Sequence, residues 1–402
     1  MRTEMKPKTG VINTVAGMGD GAMSGDGGPG VAACLNEPKS VAFDGHGNLI
    51  IVDSENHVIR KLDRVSGVIV TVAGCTEPAQ RRAEEVQSDG KGTSGDEDPL
   101  AEQTSGHEAF AHQTDLSGTV RYVINSGGPS MRFGGDGGLA IKALLNFPTA
   151  AAVDAAGHLY IADTMNHRIR RVDADSGRIT TIAGVGQPRF SGDGGLAASA
   201  GLSEPSALAI TDSSILYVAD QNNNRVRAID LRTGLIRTVA GTGAAAYNGD
   251  GIPAIEAALA GPSGLAVGVD GTLFIADTFN GRIRSVDPST GTIQTIVGDG
   301  GMYRYQGATE PASTSLARPY GIALDAEGHL FLSDSDNHLI RRWDRATGRL
   351  DRLAGIGMAT YGGDGGSALD AGLNYPFGIA VAADGALVIA DTFNHRIREI
   401  VL

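Results

Sequence analysis

Residues 149–184 read TAAAVDAAGHLYIADTMNHRIRRVDADSGRITTIAG and contain four short apolar runs separated by turn residues. The runs are AAAVD, HLYIAD, RIRRVD and ITTIAG, and we name the strands that they predict a, b, c and d in chain order. The connections at 154–157 and 173–177 supply the Asp, Ser and Gly residues that tight hairpin turns need. The segment therefore predicts a four-stranded antiparallel sheet.

The same pattern returns at a fixed period along the chain. The Asp that ends strand b recurs every 57 residues, with one further copy 110 residues before the second, at Asp53, Asp163, Asp220, Asp277, Asp334 and Asp391. A Pro at the start of strand a keeps the same steps, at Pro38, Pro148, Pro205, Pro262, Pro319 and Pro376. Six copies are in register, and one irregular gap separates the first from the second.

One four-stranded unit cannot bury both faces of its sheet, so neighbouring units must stack. Radial stacking closes the stack into a ring and protects the strand edges. Small side chains recur where innermost strands would crowd around an axis, at Ala42, Ala152, Ala209, Ala266, Ala323 and Ala380. The sequence predicts an all-β fold, a six-bladed β-propeller of four-stranded antiparallel blades over residues 11–402.

The two ends of the chain support a closed ring. A lone d-type strand is predicted at 12–17, and the chain closes on a c-type strand at 396–402. We therefore expect the N-terminal strand to complete the last blade. Residues 1–10, MRTEMKPKTG, are predicted to be a disordered tail.

Residues 75–118 interrupt the period with an acidic, Gln- and Ser-rich stretch that predicts an irregular insertion. Two features leave another interpretation open. The stretch at 119–138 supplies a second d-type strand, and Ser94, Gly95 and Asp96 are similar to the SGDGGP loop of the repeat. The segment could thus be a decayed repeat, and a seven-bladed ring with one degenerate blade remains the alternative.

The segments DSENHVIRKLD (53–63), DTMNHRIRRVD (163–173), DSDNHLIRRWD (334–344) and DTFNHRIREI (391–400) resemble the NHL-repeat family. The resemblance covers the chain outside 75–118 and implies a propeller fold. It implies little about activity, because this family and its look-alikes include protein- and RNA-binding propellers, receptor sensor domains and a few lyases.

The composition of the chain limits the classes of partner that it is expected to bind. The formal net charge is −13 and no run of Lys and Arg interrupts it, which argues against a nucleic-acid partner. Two cysteines offer neither a disulfide framework nor metal-ligand spacing. The chain as given shows no signal peptide and no apolar stretch near the ~18 residues that span a bilayer, so we expect a soluble monomer without membrane insertion and leave its compartment open.

Strands b and d run in the same direction, so the b–c turns and the d–a loops should open on one face of the propeller. In the b–c turn we expect the Asp to accept backbone N–H bonds and to face the Arg that begins strand c, as in Asp163 with Arg168 or Asp391 with Arg396. The glycine-rich GDGG loops before strand a are centred on Asp26, Asp136, Asp193, Asp250 and Asp364. They are interpreted as turns in which glycines adopt positive φ and the Asp hydrogen-bonds its own backbone. Both motifs are therefore predicted to be structural.

A ring of larger side chains precedes the Asp of each GDGG loop by three residues. Packing between blades explains such a ring, and a recognition rim on the loop-rich face is the alternative, since exposed aromatic and Arg residues anchor interfaces. The candidate binding residues are Phe133, Phe190, Tyr247 and Tyr361, with Arg132 and Arg189 beside them and Tyr303, Arg304 and Tyr305 in the divergent fifth copy.

Two functions follow from this pattern. The first is a non-catalytic scaffold that binds a protein, peptide or glycan on the rim, with no cofactor. The second is a metal-dependent lyase or lactonase-like enzyme with a divalent metal in the central channel. An enzyme would need His, Glu or Asp at channel-facing positions in two or more blades that depart from the repeat, and the sequence shows no such cluster.

Overall fold

The computed structural model describes residues 10–75, 111–114, 120–123, 132–301 and 311–402. Within these ranges the chain forms β-strands and single-turn 3-10 helices, and no α-helix. No helix in the described ranges is long and apolar enough to cross a membrane.

The strands group into six blades and one separate hairpin. The first strand is β1 (Val11–Ala16). Blade 1 comprises β2 (Pro38–Phe43), β3 (Leu49–Asp53), β4 (Val58–Leu62) and β5 (Ile69–Ala73). The hairpin comprises β6 (Ala111–Thr114) and β7 (Val120–Val123). Blade 2 comprises β8 (Ala150–Val153), β9 (Leu159–Asp163), β10 (Arg168–Val172) and β11 (Ile179–Ala183). Blade 3 comprises β12 (Pro205–Ile210), β13 (Ile215–Asp220), β14 (Arg225–Asp230) and β15 (Leu235–Ala240).

The remaining blades repeat the pattern. Blade 4 comprises β16 (Ile252–Pro253), β17 (Gly264–Val267), β18 (Leu273–Asp277), β19 (Arg282–Val286) and β20 (Thr292–Val297). Blade 5 comprises β21 (Pro319–Leu324), β22 (Leu330–Asp334), β23 (Leu339–Trp343) and β24 (Leu350–Ala354). Blade 6 comprises β25 (Pro376–Val381), β26 (Leu387–Asp391) and β27 (Arg396–Val401), together with β1.

Short 3-10 helices mark two recurrent places. In the b–c turns they are Thr164–Asn166, Gln221–Asn223, Thr278–Asn280, Ser335–Asn337 and Thr392–Asn394. In the d–a connections they are Gly30–Ala32, Ala140–Lys142, Ala197–Ser199, Ala254–Glu256, Pro311–Ser313 and Ala368–Asp370.

The innermost strands form a closed ring of six. They contact one another in the order β2, β8, β12, β17, β21 and β25, and β25 returns to β2. Because β2 contacts β8 directly, no further blade stands between the first and second copies. The six-bladed prediction is confirmed, and the seven-bladed alternative is wrong.

The hairpin of β6 and β7 belongs to a second compact unit, Glu77–Met131. Its strands are antiparallel, with Ala111 opposite Val123 and Thr114 opposite Val120. A strand was expected in this region as the d strand of a decayed repeat, but β7 pairs with β6 and not with a blade. The rest of the predicted insertion at 75–118, beyond Cys75 and β6, lies outside the described residues, as do residues 1–9 of the predicted tail.

The ring is closed by the N-terminal strand, as the chain ends predicted. Strand β1 pairs antiparallel with β27, with Val11 opposite Val401 and Ile12 opposite Ile400. The N–H of Ile12 also donates to the carbonyl of Gly366 in the connection before blade 6. Blade 6 therefore takes its strand d from the other end of the chain.

Blade 4 has five strands where four were predicted. The short strand β16 pairs with the outer strand β20, with Ile252 opposite Ile293. Other blades make the corresponding contact as a single bridge, such as Leu139 with Arg178 or Leu196 with Leu235. The fifth strand is thus an extension, by one residue pair, of a contact that most blades share.

The core lies between blades, which is why one blade alone would be unstable. Between blades 1 and 2, Ile50 and Val52 of β3 share a cluster with Ile161 of β9 and Val172 of β10. Ala140, in the connecting 3-10 helix, is buried in the same cluster. The 3-10 helices of four d–a connections contribute a buried alanine to such clusters in this way, namely Ala140, Ala197, Ala254 and Ala368.

We expect Ile12→Ala to destabilise the propeller by about 3 kcal/mol, because Ile12 is fully buried and its loss leaves a cavity at the ring closure. Val11→Ala is the matched control on the same strand, where the side chain is 45% exposed, and should cost less than about 1 kcal/mol. Urea unfolding followed by circular dichroism measures both. Equal costs for the two variants would contradict the closure.

Candidate functional site

A buried aspartate ends strand b of every blade. In blade 2 the Asp163 carboxylate accepts hydrogen bonds from the N–H of Asn146 (2.7 Å) and from Nδ2 of Asn166 (2.9 Å). It also pairs with Nη1 of Arg170 at 3.1 Å, and neither charged side chain is exposed. Burial raises the pKa of Asp163 to about 6, while these hydrogen bonds and the Arg170 charge lower it. The aspartate fixes the b–c turn against its own blade.

The arginine that pairs with this aspartate differs from the predicted one. We expected Arg168 for Asp163 and Arg396 for Asp391, the first residues of strand c. The structure pairs Asp163 with Arg170 and Asp391 with Arg398, two residues further along. Residues two apart on a strand point to the same face, so alternation does not distinguish the two arginines. Only Arg170 is covered by the loop above, where it bonds to Gly134 and Asp136. Arg168 instead donates to the carbonyls of Asn166 and Val185.

In blades 1, 2, 3, 4 and 6 the buried arginine of strand c also binds the aspartate of the GDGG loop. Asp136 accepts from Nη2 of Arg170 at 2.7 Å and from Oγ1 of Thr181 at 2.7 Å. The same pairing joins Arg60 to Asp26, Arg227 to Asp193, Arg284 to Asp250 and Arg398 to Asp364. Gly307, which occupies this slot in the fifth copy, lies outside the described residues. Both motifs thus have a structural role, but the GDGG aspartates bond to strands c and d, whereas we expected bonds to their own backbone. The two motifs open on one face, which we call the loop-rich face.

The predicted rim aromatics stack on arginines. The Phe133 ring centre lies 3.8 Å from the guanidinium carbon of Arg168, and Phe190 lies 3.7 Å from that of Arg225. Tyr247 and Tyr361 make the same contact with Arg282 and Arg396. Stacking covers only part of the surface of each ring. Phe190, Tyr247 and Tyr361 remain 39%, 38% and 43% exposed.

The other rim candidates are placed as follows. Arg132 donates to the carbonyl of Cys75 at 3.1 Å, and Arg189 is exposed. Tyr303, Arg304 and Tyr305 lie outside the described residues. In the described blades, Phe133, Phe190, Tyr247 and Tyr361 thus make the same stacking contact at equivalent positions.

Histidines of the b–c turns connect blades 1, 2, 5 and 6 to the blade that follows each of them. Nδ1 of His57 accepts the N–H of Phe147 (2.9 Å), and Nδ1 of His395 accepts that of Glu37 (3.1 Å) across the ring closure. His167 and His338 do the same for Glu204 and Tyr375. An accepting Nδ1 requires a neutral ring, and burial, followed by the charge of Arg132, lowers the pKa of His57 to about 4.

The residue whose N–H donates this bond stands directly before the repeat Pro, in a left-handed conformation. Its φ lies between 45° and 55° in all six copies, at Glu37, Phe147, Glu204, Gly261, Arg318 and Tyr375. Such a φ costs a residue with a Cβ roughly 1–3 kcal/mol and persists only where the surroundings impose it. The backbone is thus the same in each copy, whereas the side chains are five different types.

These residues surround one opening of the central channel. We define the channel mouth by three rings: the residue before the repeat Pro, the residue after it, and the second residue after the strand-b aspartate. The ring after the Pro is Lys39, Thr149, Ser206, Ser263, Tyr320 and Phe377. The turn ring is Glu55, Met165, Asn222, Phe279, Asp336 and Phe393. Behind the mouth lies a cavity of about 340 Å³, lined by the innermost strands.

Aromatic side chains gather on one side of the mouth, in blades 5 and 6. Tyr320 stacks on Phe377 with ring centres 4.4 Å apart. Phe393 meets Tyr375 edge-on at 5.0 Å and Phe377 at 6.2 Å. The result is a continuous aromatic wall beside the entrance.

Charged side chains complete this side of the mouth. Nζ of Lys39 lies 2.8 Å from the Glu37 carboxylate and 4.7 Å from the centre of the Phe377 ring, with only 3% of the residue exposed. Burial lowers the pKa of Lys39, whereas Glu37 raises it. Arg318 pairs with both carboxylate oxygens of Asp336 at 2.8 Å.

The sequence analysis missed this cluster. It compared the copies for what they share, and the mouth residues are where neighbouring copies differ. The signal was present, because the positions on either side of the invariant Pro change from Glu and Lys in the first copy to Tyr and Phe in the sixth.

The central cavity does not fit the metal site of the enzyme alternative. Its lining consists of strand-a residues such as Ala42, Ala152 and Ala380, with no His, Asp or Glu among those that the structure describes. Elsewhere in the described ranges, no three His, Cys, Asp or Glu side chains are close enough to hold a metal ion.

Known proteins share these repeats. A family model described as "Teneurin NHL domain" matches residues 239–314, and one described as "NHL repeat" matches residues 145–172. The chain is 31% identical over 269 residues to Protein SUPPRESSOR OF QUENCHING 1, chloroplastic, of Arabidopsis thaliana, covering 64% of this chain and 25% of that protein. It is 28% identical over 319 residues to NHL repeat-containing protein 2 of Bos taurus, covering 70% and 42% respectively. The chain thus spans less than half the length of these two relatives.

A solved structure shares the fold. An auxiliary nutrient binding protein from Bacteroides thetaiotaomicron superposes with a TM-score of 0.60 at 17% identity, covering 97% of this chain and 76% of that one.

Replacing Arg170 should expose the cost of the buried pair. We expect Arg170→Ala to destabilise the propeller by about 3–5 kcal/mol, because it leaves Asp163 buried without its cation. Arg232→Ala is the control, since this side chain is 72% exposed and should change stability by no more than about 0.5 kcal/mol. Chemical unfolding compares the two, and similar small losses would show that the buried arginine is dispensable.

His57→Asn should make the protein less sensitive to acid. As the pH falls from 6.5 toward about 4, the unfolded chain binds a proton on His57 that the folded chain resists, so folding stability is lost in this window. Asn keeps an acceptor, as Asn224 does toward Gly261 in blade 3 (2.9 Å), but does not titrate. The melting temperature should fall less between about pH 7.5 and about pH 4.5 in this variant than in wild type. His46→Asn, at an exposed histidine, is the control. If His57→Asn loses as much melting temperature between the two pH values as wild type does, His57 does not contribute to the acid sensitivity.

Proposed function

This chain is an NHL-repeat β-propeller, and we propose that it is a binding scaffold for a protein, peptide or glycan. The ligand would lie on the loop-rich face, across the channel mouth and the aromatic rim. A scaffold of this kind acts by presenting fixed side chains, so its chemistry is recognition and not bond making.

One observation carries the proposal. The repeat residues of the loop-rich face are bonded to each other, as Asp163 is to Arg170 and His57 is to the N–H of Phe147. The side chains that differ between blades gather at the mouth on the backbone that these bonds hold. A constant frame with variable side chains at one opening is the arrangement that selective binding requires, because pre-ordered groups lose little entropy on association.

The rim adds aromatic surface around the mouth. Phe190, Tyr247 and Tyr361 each stack on an arginine and keep more than a third of their surface exposed. Rings held in this way lose little conformational freedom on binding and are frequent interface anchors. We include Phe133, Arg132, Arg189, Tyr303, Arg304 and Tyr305 in the proposed rim.

The lining of the central cavity also supports a scaffold. A lyase or lactonase of the metal-dependent kind would need convergent imidazoles or carboxylates there. Alanines and backbone occupy much of the lining in the part of the chain described. The fold that this chain shares with an auxiliary nutrient binding protein agrees with a binding role.

Immobilised peptide and glycan arrays test the proposal. We expect a ligand whose affinity falls about tenfold or more in Phe279→Ala at the mouth or in Tyr361→Ala on the rim, as for aromatic anchors elsewhere. Val65→Ala is the control, because this side chain is 99% exposed in the c–d turn of blade 1, on the opposite face.

Two outcomes would overturn the proposal. One is a ligand that Val65→Ala weakens while both aromatic variants bind normally, which would move recognition to the other face. The other is turnover of the bound molecule, detected by mass spectrometry of the recovered ligand.

A further inference from the structure

We propose that the channel mouth at the junction of blades 6 and 1 binds a cationic side chain, lysine or arginine, presented by a protein or peptide ligand. The cation would lie between the Glu55 carboxylate and the Phe393 ring. This inference rests on the proposed function and specifies the ligand chemistry of the same face.

The protein itself shows that this junction accommodates an ammonium group. Nζ of Lys39 lies 4.7 Å from the centre of the Phe377 ring, 5.2 Å from that of Phe393 and 5.6 Å from that of Phe147. The Glu37 carboxylate completes the enclosure at 2.8 Å. Ring faces together with a carboxylate are the groups that stabilise a desolvated cation. The internal lysine occupies the inner part of the site, and Phe393, which is half-buried, also borders the opening.

Charge at the mouth favours an added cation. The two basic residues, Lys39 and Arg318, are each paired with a carboxylate, Glu37 and Asp336 respectively. Glu55 forms no ion pair with any residue that the structure describes, although it stands close to Glu37. Burial raises the pKa of Glu55, the nearby Glu37 charge raises it further, and Lys39 offsets part of this effect. An incoming cation would relieve the repulsion between Glu37 and Glu55.

The backbone holds the two proposed contact residues in adjacent positions. Glu55 and Phe393 occupy the same slot of the b–c turn in neighbouring blades, and both turns bond to the same segment of the chain. The N–H of Glu55 donates to the carbonyl of Asn36 at 3.2 Å, and Oγ1 of Thr392, which precedes Phe393, donates to the carbonyl of Pro38 at 2.8 Å. Both turns are thus fixed to the chain segment that carries Glu37 and Lys39.

The charge of the whole chain acts in the same direction. A net charge of −13 attracts basic ligands and disfavours acidic ones at long range. A neutral oligosaccharide would use the aromatic wall but would leave Glu55 without a counter-charge. For this reason the charge distribution favours a basic peptide over a glycan.

The test uses three synthetic peptides that differ only at one central residue, Lys, norleucine or Glu, within a Gly-Ser sequence. Saturation-transfer NMR and titration measure their binding to the full chain, alongside a set of neutral oligosaccharides. We expect the Lys peptide to bind at least about tenfold more tightly than the norleucine peptide, and the Glu peptide not to bind. Replacing the Lys by Arg should preserve binding.

Variants assign the site. Glu55→Gln and Phe393→Leu should each weaken the Lys peptide by about tenfold and reduce its preference over norleucine. Glu256→Gln is the matched control, because the same change is made at an exposed glutamate in the connection before blade 4 and should leave affinity unchanged. Melting curves confirm that the variants are folded.

The outcomes separate this inference from the proposed function. If norleucine or Glu peptides, or neutral oligosaccharides, bind as well as the Lys peptide and depend on Phe279 or Tyr361, the scaffold stands and the cationic site is wrong. If Glu256→Gln weakens the Lys peptide as much as Glu55→Gln does, the cation binds by overall charge and the site is again wrong. If neither these probes nor the arrays give any ligand, both proposals fail.

Discussion

A fully buried arginine between two aspartates is the interaction on which the loop-rich face depends. In blade 2, Arg170 binds Asp163 at the end of strand b and Asp136 in the loop above, and so joins a turn, a strand and a connection through one guanidinium group. Its planar array of donors suits such a junction better than the point charge of a lysine. Removing the arginine or its aspartates would leave the remaining charge buried without a partner, which is why losing this ion pair is costly.

Hydrogen bonds from the b–c turns then fix each of these junctions to the neighbouring blade. The turn that Asp163 fixes presents His167 to the N–H of Glu204 in blade 3, and that bond helps to hold Glu204 in its left-handed conformation. The same sequence of bonds closes the circle between His395 and Glu37. The side chains that we propose for recognition at the mouth therefore stand on a backbone whose geometry is set by bonds within the protein itself.

The fold could be predicted from the sequence because its period is long, regular and specific. The spacing of Asp163, Asp220 and Asp277 predicted the blades, and the unpaired run at 12–17 predicted the closure. The partner of Asp163 could not be predicted in the same way, because Arg168 and Arg170 both recur and only the covering loop distinguishes them. The channel mouth was missed for a different reason: Lys39 and Phe377 are far apart in the chain, and only the ring brings them together.

The pairing of β1 with β27 has a consequence for biosynthesis. Ile12 is translated long before its partner Ile400, with nearly all of the propeller between them in the sequence. Until then β1 has an unpaired edge and an uncovered apolar side chain, which are the features that chaperones recognise and that promote aggregation. Nascent chains can build the blades in succession, but blade 6 cannot be completed until β27 has been made.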